Sequence, residues 1–306
     1  MMRRILIAGL GALGLAFLFV KFGPLEVRRK AVAVRAWMLE DTAGCSFAAC
    51  LSEIGPALSD SMERIRRQSS LVRTDGIYEL WATPLGEFWS PRGNSLFFDL
   101  AEQSIDIYSE GAEVRPGDVV LDCGANIGTF TRQALNKGAA KVIAFDIDPR
   151  NLESLRRTFA REIEGGRVVV VSKGVWDRED VLEANFYDNT NLNSVAMRER
   201  TETAQKPLRA AVPLARIDTV VQELGLATVD FIKMDVEGAE PKALAGARET
   251  IRRFRPRLSI ATENEPGDVF DVPRIVRTFG LSYKELPGAC RRVRAGVMRP
   301  EVYFFY

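Results

Sequence analysis

The chain has 306 residues, 46% of them hydrophobic and 27% charged, which is enough apolar material for a sizeable core and too much for wholesale disorder. Its 42 lysines and arginines balance 41 aspartates and glutamates, so overall charge does not draw it toward nucleic acid, and no nucleic-acid partner is expected. Histidine is absent, which excludes Ser-His-Asp triads, Cys-His pairs and histidine-ligated zinc and leaves carboxylate, lysine, tyrosine or cysteine as general base.

Residues 5–20, ILIAGLGALGLAFLFV, carry no charge and are flanked by Arg3 and Arg4 before and Lys21 after. As a helix this run spans about 24 Å, a little less than a hydrocarbon core of roughly 30 Å, and Arg4 and Lys21 can snorkel to the interfaces. No small-residue cleavage pattern follows it. The expectation is a single-pass transmembrane helix over residues 1–22 that holds the protein on a membrane. The heavier basic cluster of Lys21, Arg28, Arg29 and Lys30 favours a cytoplasmic catalytic domain.

Residues 23–113 read as a helical spacer and hairpin extension. Helical periodicity runs between Leu25 and Gln68, alternation from Leu71 to Trp89 brackets an Asp75-Gly76 turn, and Asn94 to Glu110 is again helical. The four cysteines contain no CxxC pair. Cys45 and Cys50 either form a disulfide, if that segment is exported, or remain thiols in a helical region, and Cys123 serves as a small apolar residue in a loop.

From residue 114 to residue 306 short apolar runs alternate with amphipathic helices. Strands are expected at Val119–Leu121, Lys141–Phe145, Val168–Val171, Val229–Met234, Leu258–Ala261 and Val302–Phe305. Helices are expected at Thr131–Asn136, Arg150–Arg161, Ile217–Leu224, Pro241–Arg253 and Val272–Phe279. Such alternation predicts an α/β domain, a mainly parallel sheet with helices on both faces.

Three segments carry chemistry. In VLDCGANIGTFT (Val120 to Thr131) a buried strand runs into a D-x-G-x-N-x-G loop that opens a helix. Glycines there allow close backbone approach to a ligand, Asn126 is a residue type that tolerates positive φ, and the helix N-terminus favours an anionic group. AFDIDP (Ala144 to Pro149) places Asp146 at the end of the next strand, where a carboxylate accepts from ribose hydroxyls; Asp148 is placed to cap the following helix. DFIKMDVEGAE (Asp230 to Glu240) brings Lys233, Asp235 and Glu237 to the C-terminal end of a further strand, where ligands bind in open α/β sheets, while Glu240 stands before Pro241 at a helix start.

Together the three segments resemble the FkbM family of S-adenosylmethionine-dependent methyltransferases, with the similarity covering roughly Val114 to Ala261. The resemblance implies a Rossmann-like, seven-stranded methyltransferase sheet and methyl transfer from S-adenosyl-L-methionine, typically to a hydroxyl oxygen. It maps contacts to the methionine part of the cofactor onto Asp122, Gly124, Asn126 and Gly128, and the ribose contact onto Asp146. A glutamate followed by proline is usual at that last place, so Asp146-Ile147 departs from the family pattern. Gly174, Val175 and Trp176 fall where the adenine is touched.

For catalysis Asp235 is the nominated base, with Glu237 and Glu263 as alternatives, and Lys233 offsets charge on a forming alkoxide. Hard cations take oxygen ligands, so a divalent ion at Asp235 is conceivable, though no metal site is expected. The acceptor is expected to be a hydroxyl on a glycan, a lipid-linked sugar or a small metabolite, with the polar stretch Tyr187 to Ser194 or the basic run Arg291, Arg292 and Arg294 as candidate contacts. A nicotinamide-dependent oxidoreductase shares the glycine loop and the acidic strand end but leaves the Lys233–Gly238 segment unexplained. A non-catalytic, membrane-tethered cofactor-binding module is the other competitor.

Overall fold

The computed structural model describes residue 45 and residues 58–109, 111–186, 208–292 and 298–306. They belong to two compact units, one built from residues 58–288 and 302–306, the other containing Cys45 and residues 289–301.

The larger unit opens with helix α1 (Leu58–Arg67), strands β1 (Ser70–Asp75), β2 (Tyr78–Thr83) and β3 (Gly86–Pro91), and helix α2 (Leu96–Ser104). The expected hairpin is a three-stranded antiparallel sheet, because β3 follows β2 after another tight turn. Ile65, Phe88, Leu96 and Leu100 from these elements enclose Ile127 of the glycine loop, which is fully buried. Burying such a side chain contributes about 1.5–3 kcal/mol. Residues 58–109 and 111–113 belong to the same compact unit as the main sheet.

Next come β4 (Val119–Cys123), α3 (Thr129–Asn136), β5 (Lys141–Phe145), α4 (Pro149–Thr158), α5 (Ala160–Glu164) and β6 (Val168–Val171). A side sheet is formed by β7 (Gly174–Val175), β8 (Asp180–Phe186) and β9 (Leu208–Ala215), followed by α6 (Ile217–Glu223). Then follow β10 (Phe231–Met234), α7 (Glu240–Gly246), α8 (Arg248–Phe254), β11 (Arg257–Ala261), α9 (Asp268–Arg277) and β12 (Glu285–Pro287). In the smaller unit β13 (Cys290–Arg292) pairs with β14 (Met298–Pro300), and β15 (Val302–Phe305) returns to the main sheet.

The seven-stranded sheet has the order β12-β15-β11-β10-β4-β5-β6, parallel except for β15 and β12. Its central strands read as nearly unbroken apolar runs, as strands covered on both faces must. Alternate residues feed two cores. Leu121, Ile143 and Ile232 face α6 to α9. Val120, Val142 and Phe231 face α3 and α4. The β10–β4 register sets Lys233 opposite Asp122, so two ionisable groups enter that second face side by side. The strand order reverses between β4 and β10, and the crevice above their C-terminal ends is the natural ligand site of such a sheet.

Several expectations need correction. The single helices expected at Arg150–Arg161 and Pro241–Arg253 are each two helices. The side sheet was not anticipated, since its buried residues include Ala184 and Val212, too small for strong alternation. Cys45 pairs with Cys290, 245 residues away, rather than with Cys50 or with nothing. Cys123 is a buried free thiol whose pKa burial pushes up.

Among the described residues no helix is long and apolar enough to cross a membrane. The anchor expected over residues 1–22 lies outside the described residues, as does the asparagine-rich stretch Tyr187 to Ser194.

Candidate active site

The loop between β4 and α3 is shaped by three residues with positive φ, Gly124 at 79°, Asn126 at 51° and Gly128 at 93°. The reasons differ. A Cβ on Gly124 would lie 1.8 Å from the Asp235 carbonyl oxygen, so the loops after β4 and β10 touch backbone to backbone there. A Cβ on Gly128 would meet the Phe159 ring at 2.3 Å, so that glycine serves helix packing. Asn126 Nδ2 donates to Asp99 Oδ2 at 3.0 Å, tying the loop to α2.

Asp146 ends β5 and accepts from the Asn126 N–H at 2.8 Å, the Asp148 N–H at 2.8 Å and Asn151 Nδ2 at 3.3 Å. Burial outweighs these donors and pushes its carboxyl up to about 7. Asp148 caps α4, accepting from the Arg150 N–H at 2.7 Å and pairing with its guanidinium.

At the β10 end, Lys233 is buried. Its ammonium donates to the Gly124 carbonyl at 2.8 Å and lies 3.5 Å from Asp122 and 5.0 Å from the centre of the Tyr108 ring. Burial works to depress its pKa, but Asp122 and Asp235 outweigh burial and raise it, so the lysine is a permanent cation holding the glycine loop. Asp235 accepts from the Tyr108 hydroxyl at 2.7 Å and from Asn264 Nδ2 at 3.1 Å. Glu240 is fully buried and accepts from the N–H groups of Val236 and Gly238 and from Asn264 Nδ2 at 2.8 Å. It fixes the turn that carries Glu237, whose φ of 56° is strained for a non-glycine residue. Burial and the neighbouring Asp235 push Glu240 up to about 8.

These pieces line one cleft of about 940 Å³, counting its open mouth. It collects Gly124, Asn126, Asp146, Lys233, Asp235 and Glu237 of the expected site residues. It does not collect Asp122 or Gly128. Asp122 lies beneath the loop, accepting from Thr131 Oγ1 at 2.6 Å, and so shapes the site without lining it. Gly174 and Val175 line the cleft and Trp176 does not, and Glu263 is also outside the lining. Among the described residues no group of three or more cysteines and carboxylates is arranged to hold a metal.

Sequence reasoning missed one wall of the cleft, formed by Asp99, Glu102 and Gln103 of α2 with Tyr108 from the turn after it, and also missed Asn151 on α4. None of these belongs to a motif. The only hint was the helical periodicity of Asn94 to Glu110. Gln103 Oε1 and Asn151 Oδ1 are buried acceptors without a partner among the described residues. Together with the Asp146 carboxylate they fit a ligand that brings hydroxyl or ammonium donors.

A family model described as the methyltransferase FkbM domain matches residues 122–283. The chain belongs to the FkbM methyltransferase family. Among curated relatives, the 31-O-demethyl-FK506 methyltransferase FkbM of Streptomyces tacrolimicus is 32% identical over 165 residues, 45% of this chain and 63% of that protein. The 2-O-methyltransferase NoeI of Sinorhizobium fredii is 26% identical over 155 residues, 46% of this chain and 62% of that one. The chain thus spans less than two thirds of the length of these relatives. The crystal structure of methyltransferase FkbM from Methylobacillus flagellatus aligns with 18% identity and a TM-score of 0.47, covering 69% of this chain and 53% of that one. A methyltransferase family accounts for the Lys233–Gly238 segment, which a nicotinamide-dependent oxidoreductase leaves unexplained.

The raised pKa of Asp146 sets a pH dependence. Relative to an unfolded carboxyl near 3.8, the folded group keeps its proton longer, so its contribution to stability is full below about 3.8 and is lost as pH rises through about 7. For a ligand whose hydroxyls need the charged carboxylate the sense is opposite. Affinity should fall about tenfold for each pH unit below about 7 and level off above it. Calorimetric titration across pH 5–8 checks this, and Asp146→Asn should remove the slope.

Proposed function

We propose that this FkbM methyltransferase transfers a methyl group from S-adenosyl-L-methionine to a hydroxyl oxygen of an acceptor, a glycan, a lipid-linked sugar or a small metabolite. The observation that carries this reading is the single cleft joining the glycine loop, the Asp146 carboxylate and the Asp235–Glu237 turn. The two relatives, named as a 31-O-demethyl-FK506 methyltransferase and a 2-O-methyltransferase, support the same chemistry.

S-adenosyl-L-methionine supplies, when bound, a methyl group already activated by its sulfonium. Asp146 and Asn151 are placed for the ribose hydroxyls. Gly124 and Asn126 present backbone to the methionine part, and Gln103 with the α2 carboxylates offers acceptors to its ammonium. Gly174 and Val175 form the wall beside the adenine. Asp235 takes the proton of the acceptor hydroxyl, which adds about 10²–10⁴-fold to the rate. Lys233 serves the loop rather than the forming oxyanion, because its ammonium is committed to the Gly124 carbonyl and to Asp122. Residues 1–22 are proposed to tether the enzyme to a membrane, on the strength of their apolar sequence.

The test is calorimetric titration of the full chain with S-adenosylmethionine and, separately, with NADPH. Micromolar binding of the first alone, lost in Asp146→Ala, supports the reading and justifies a search for radiolabelled methyl acceptors among envelope glycans and lipids. A folded chain that binds NADPH and not S-adenosylmethionine sinks it.

A further inference from the structure

We infer that Tyr108 is a positioning residue of the transfer step, its hydroxyl orienting the Asp235 carboxylate. The inference rests on the reading of Asp235 as the base. Tyr108 lies in the turn after α2 and is 6% exposed. Its ring meets Phe130 edge-on at 5.8 Å, inside the core cluster on the α3 face of the sheet, and carries the Lys233 ammonium at 5.0 Å from its centre. A buried phenol needs a partner for its hydroxyl. This one finds Asp235, 127 residues away in sequence, at 2.7 Å.

The bond is charge-assisted, the strong kind. Burial and the Asp235 charge together raise the Tyr108 pKa well above its usual value, so the phenol is a donor at every working pH and is itself neither base nor nucleophile. Asn264 donates to the other carboxylate oxygen, and its amide also reaches Glu240. Asp235 is thereby held on both oxygens, by the turn after α2 and by the segment after β11. An ionised carboxylate has about four lone-pair positions, so two such donors leave room for the proton of an acceptor hydroxyl. A base held this way loses little freedom when the acceptor arrives, which is where oriented groups gain rate. Apolar packing alone does not explain a tyrosine here, since phenylalanine would fill the same space and leave Asp235 with Asn264 alone.

The test needs no acceptor. The full chain is labelled at the aspartate carboxyl carbons with ¹³C, and the Asp235 resonance is assigned by its disappearance in Asp235→Asn. Tyr108→Phe should move that resonance and leave the other aspartates, which report folding, unchanged. Global replacement of tyrosine by 3-fluorotyrosine keeps shape and hydroxyl but strengthens the donor, and should move the same resonance in the opposite sense. With an acceptor in hand, Tyr108→Phe should lower kcat by about 10- to 100-fold with the cofactor Kd changed less than about twofold. An Asp235 resonance unmoved by both replacements, or an unchanged kcat in Tyr108→Phe, overturns the assignment. Failure of the base reading shows separately, as turnover retained in Asp235→Asn.

Discussion

Asp235→Asn should lower turnover by about 10²–10⁴-fold while cofactor affinity changes less than about twofold. Asparagine matches the aspartate in size, so the contact between the β4 and β10 loops survives, as does the Lys233 bond to the Gly124 carbonyl. What changes is chemistry. The amide keeps one acceptor oxygen for Asn264 and turns an N–H donor toward the Tyr108 oxygen, so the Tyr108 bond reverses its sense, and it takes no proton from an acceptor hydroxyl. With no histidine in the chain, few groups can replace it. Glu237 lines the same cleft, whereas Glu263 does not. Initial rates and calorimetry on the same preparation check the split between kcat and affinity. Full turnover in Asp235→Asn would move the base to Glu237, and Glu237→Gln is then the variant to measure.

What was legible in the sequence was whatever is local and periodic. The buried strands Lys141–Phe145, Val168–Val171 and Val302–Phe305 run as expected, because a strand covered on both faces must be continuously apolar. Positive φ at Asn126 followed from its residue type, and Asp148 caps α4 as its place before Pro149 required. What was not legible depends on register and on distant segments. The pairing of Lys233 with Asp122 follows from a parallel β10–β4 register that no local pattern states. That pairing puts the Lys233 ammonium against Asp122 and the Gly124 carbonyl of the glycine loop. Tyr108 and Gln103 reach the cleft only because α2 packs over α3, which puts residues outside every motif against those inside them. The Cys45–Cys290 bond joins positions 245 residues apart, a pairing that local spacing does not state.

Gly124→Ala should cost at least about 3 kcal/mol of stability and abolish cofactor binding. Two separate penalties act at this position. The first is conformational, since a φ of 79° costs an alanine about 1–2 kcal/mol. The second is steric, since the new methyl would stand 1.8 Å from the Asp235 carbonyl oxygen. Backbone, unlike a flexible side-chain end, cannot swing away. The Asp235 N–H is bonded to the Cys123 carbonyl at 3.0 Å, and the Gly124 carbonyl holds Lys233, so relief of the clash must break the seam between the two loops. Because Gly124 and Asp235 both line the cleft, that break reaches the ligand site directly. Gly76→Ala is the internal control. Its φ is 61°, and nothing lies within 4 Å of the added carbon, so it carries the first penalty without the second. Denaturant midpoints should place Gly76→Ala near 1–2 kcal/mol, by the conformational penalty alone, and Gly124→Ala well beyond it. Equal losses would mean that the loops separate freely, and that close approach of β4 and β10 is not what requires glycine at the head of this site.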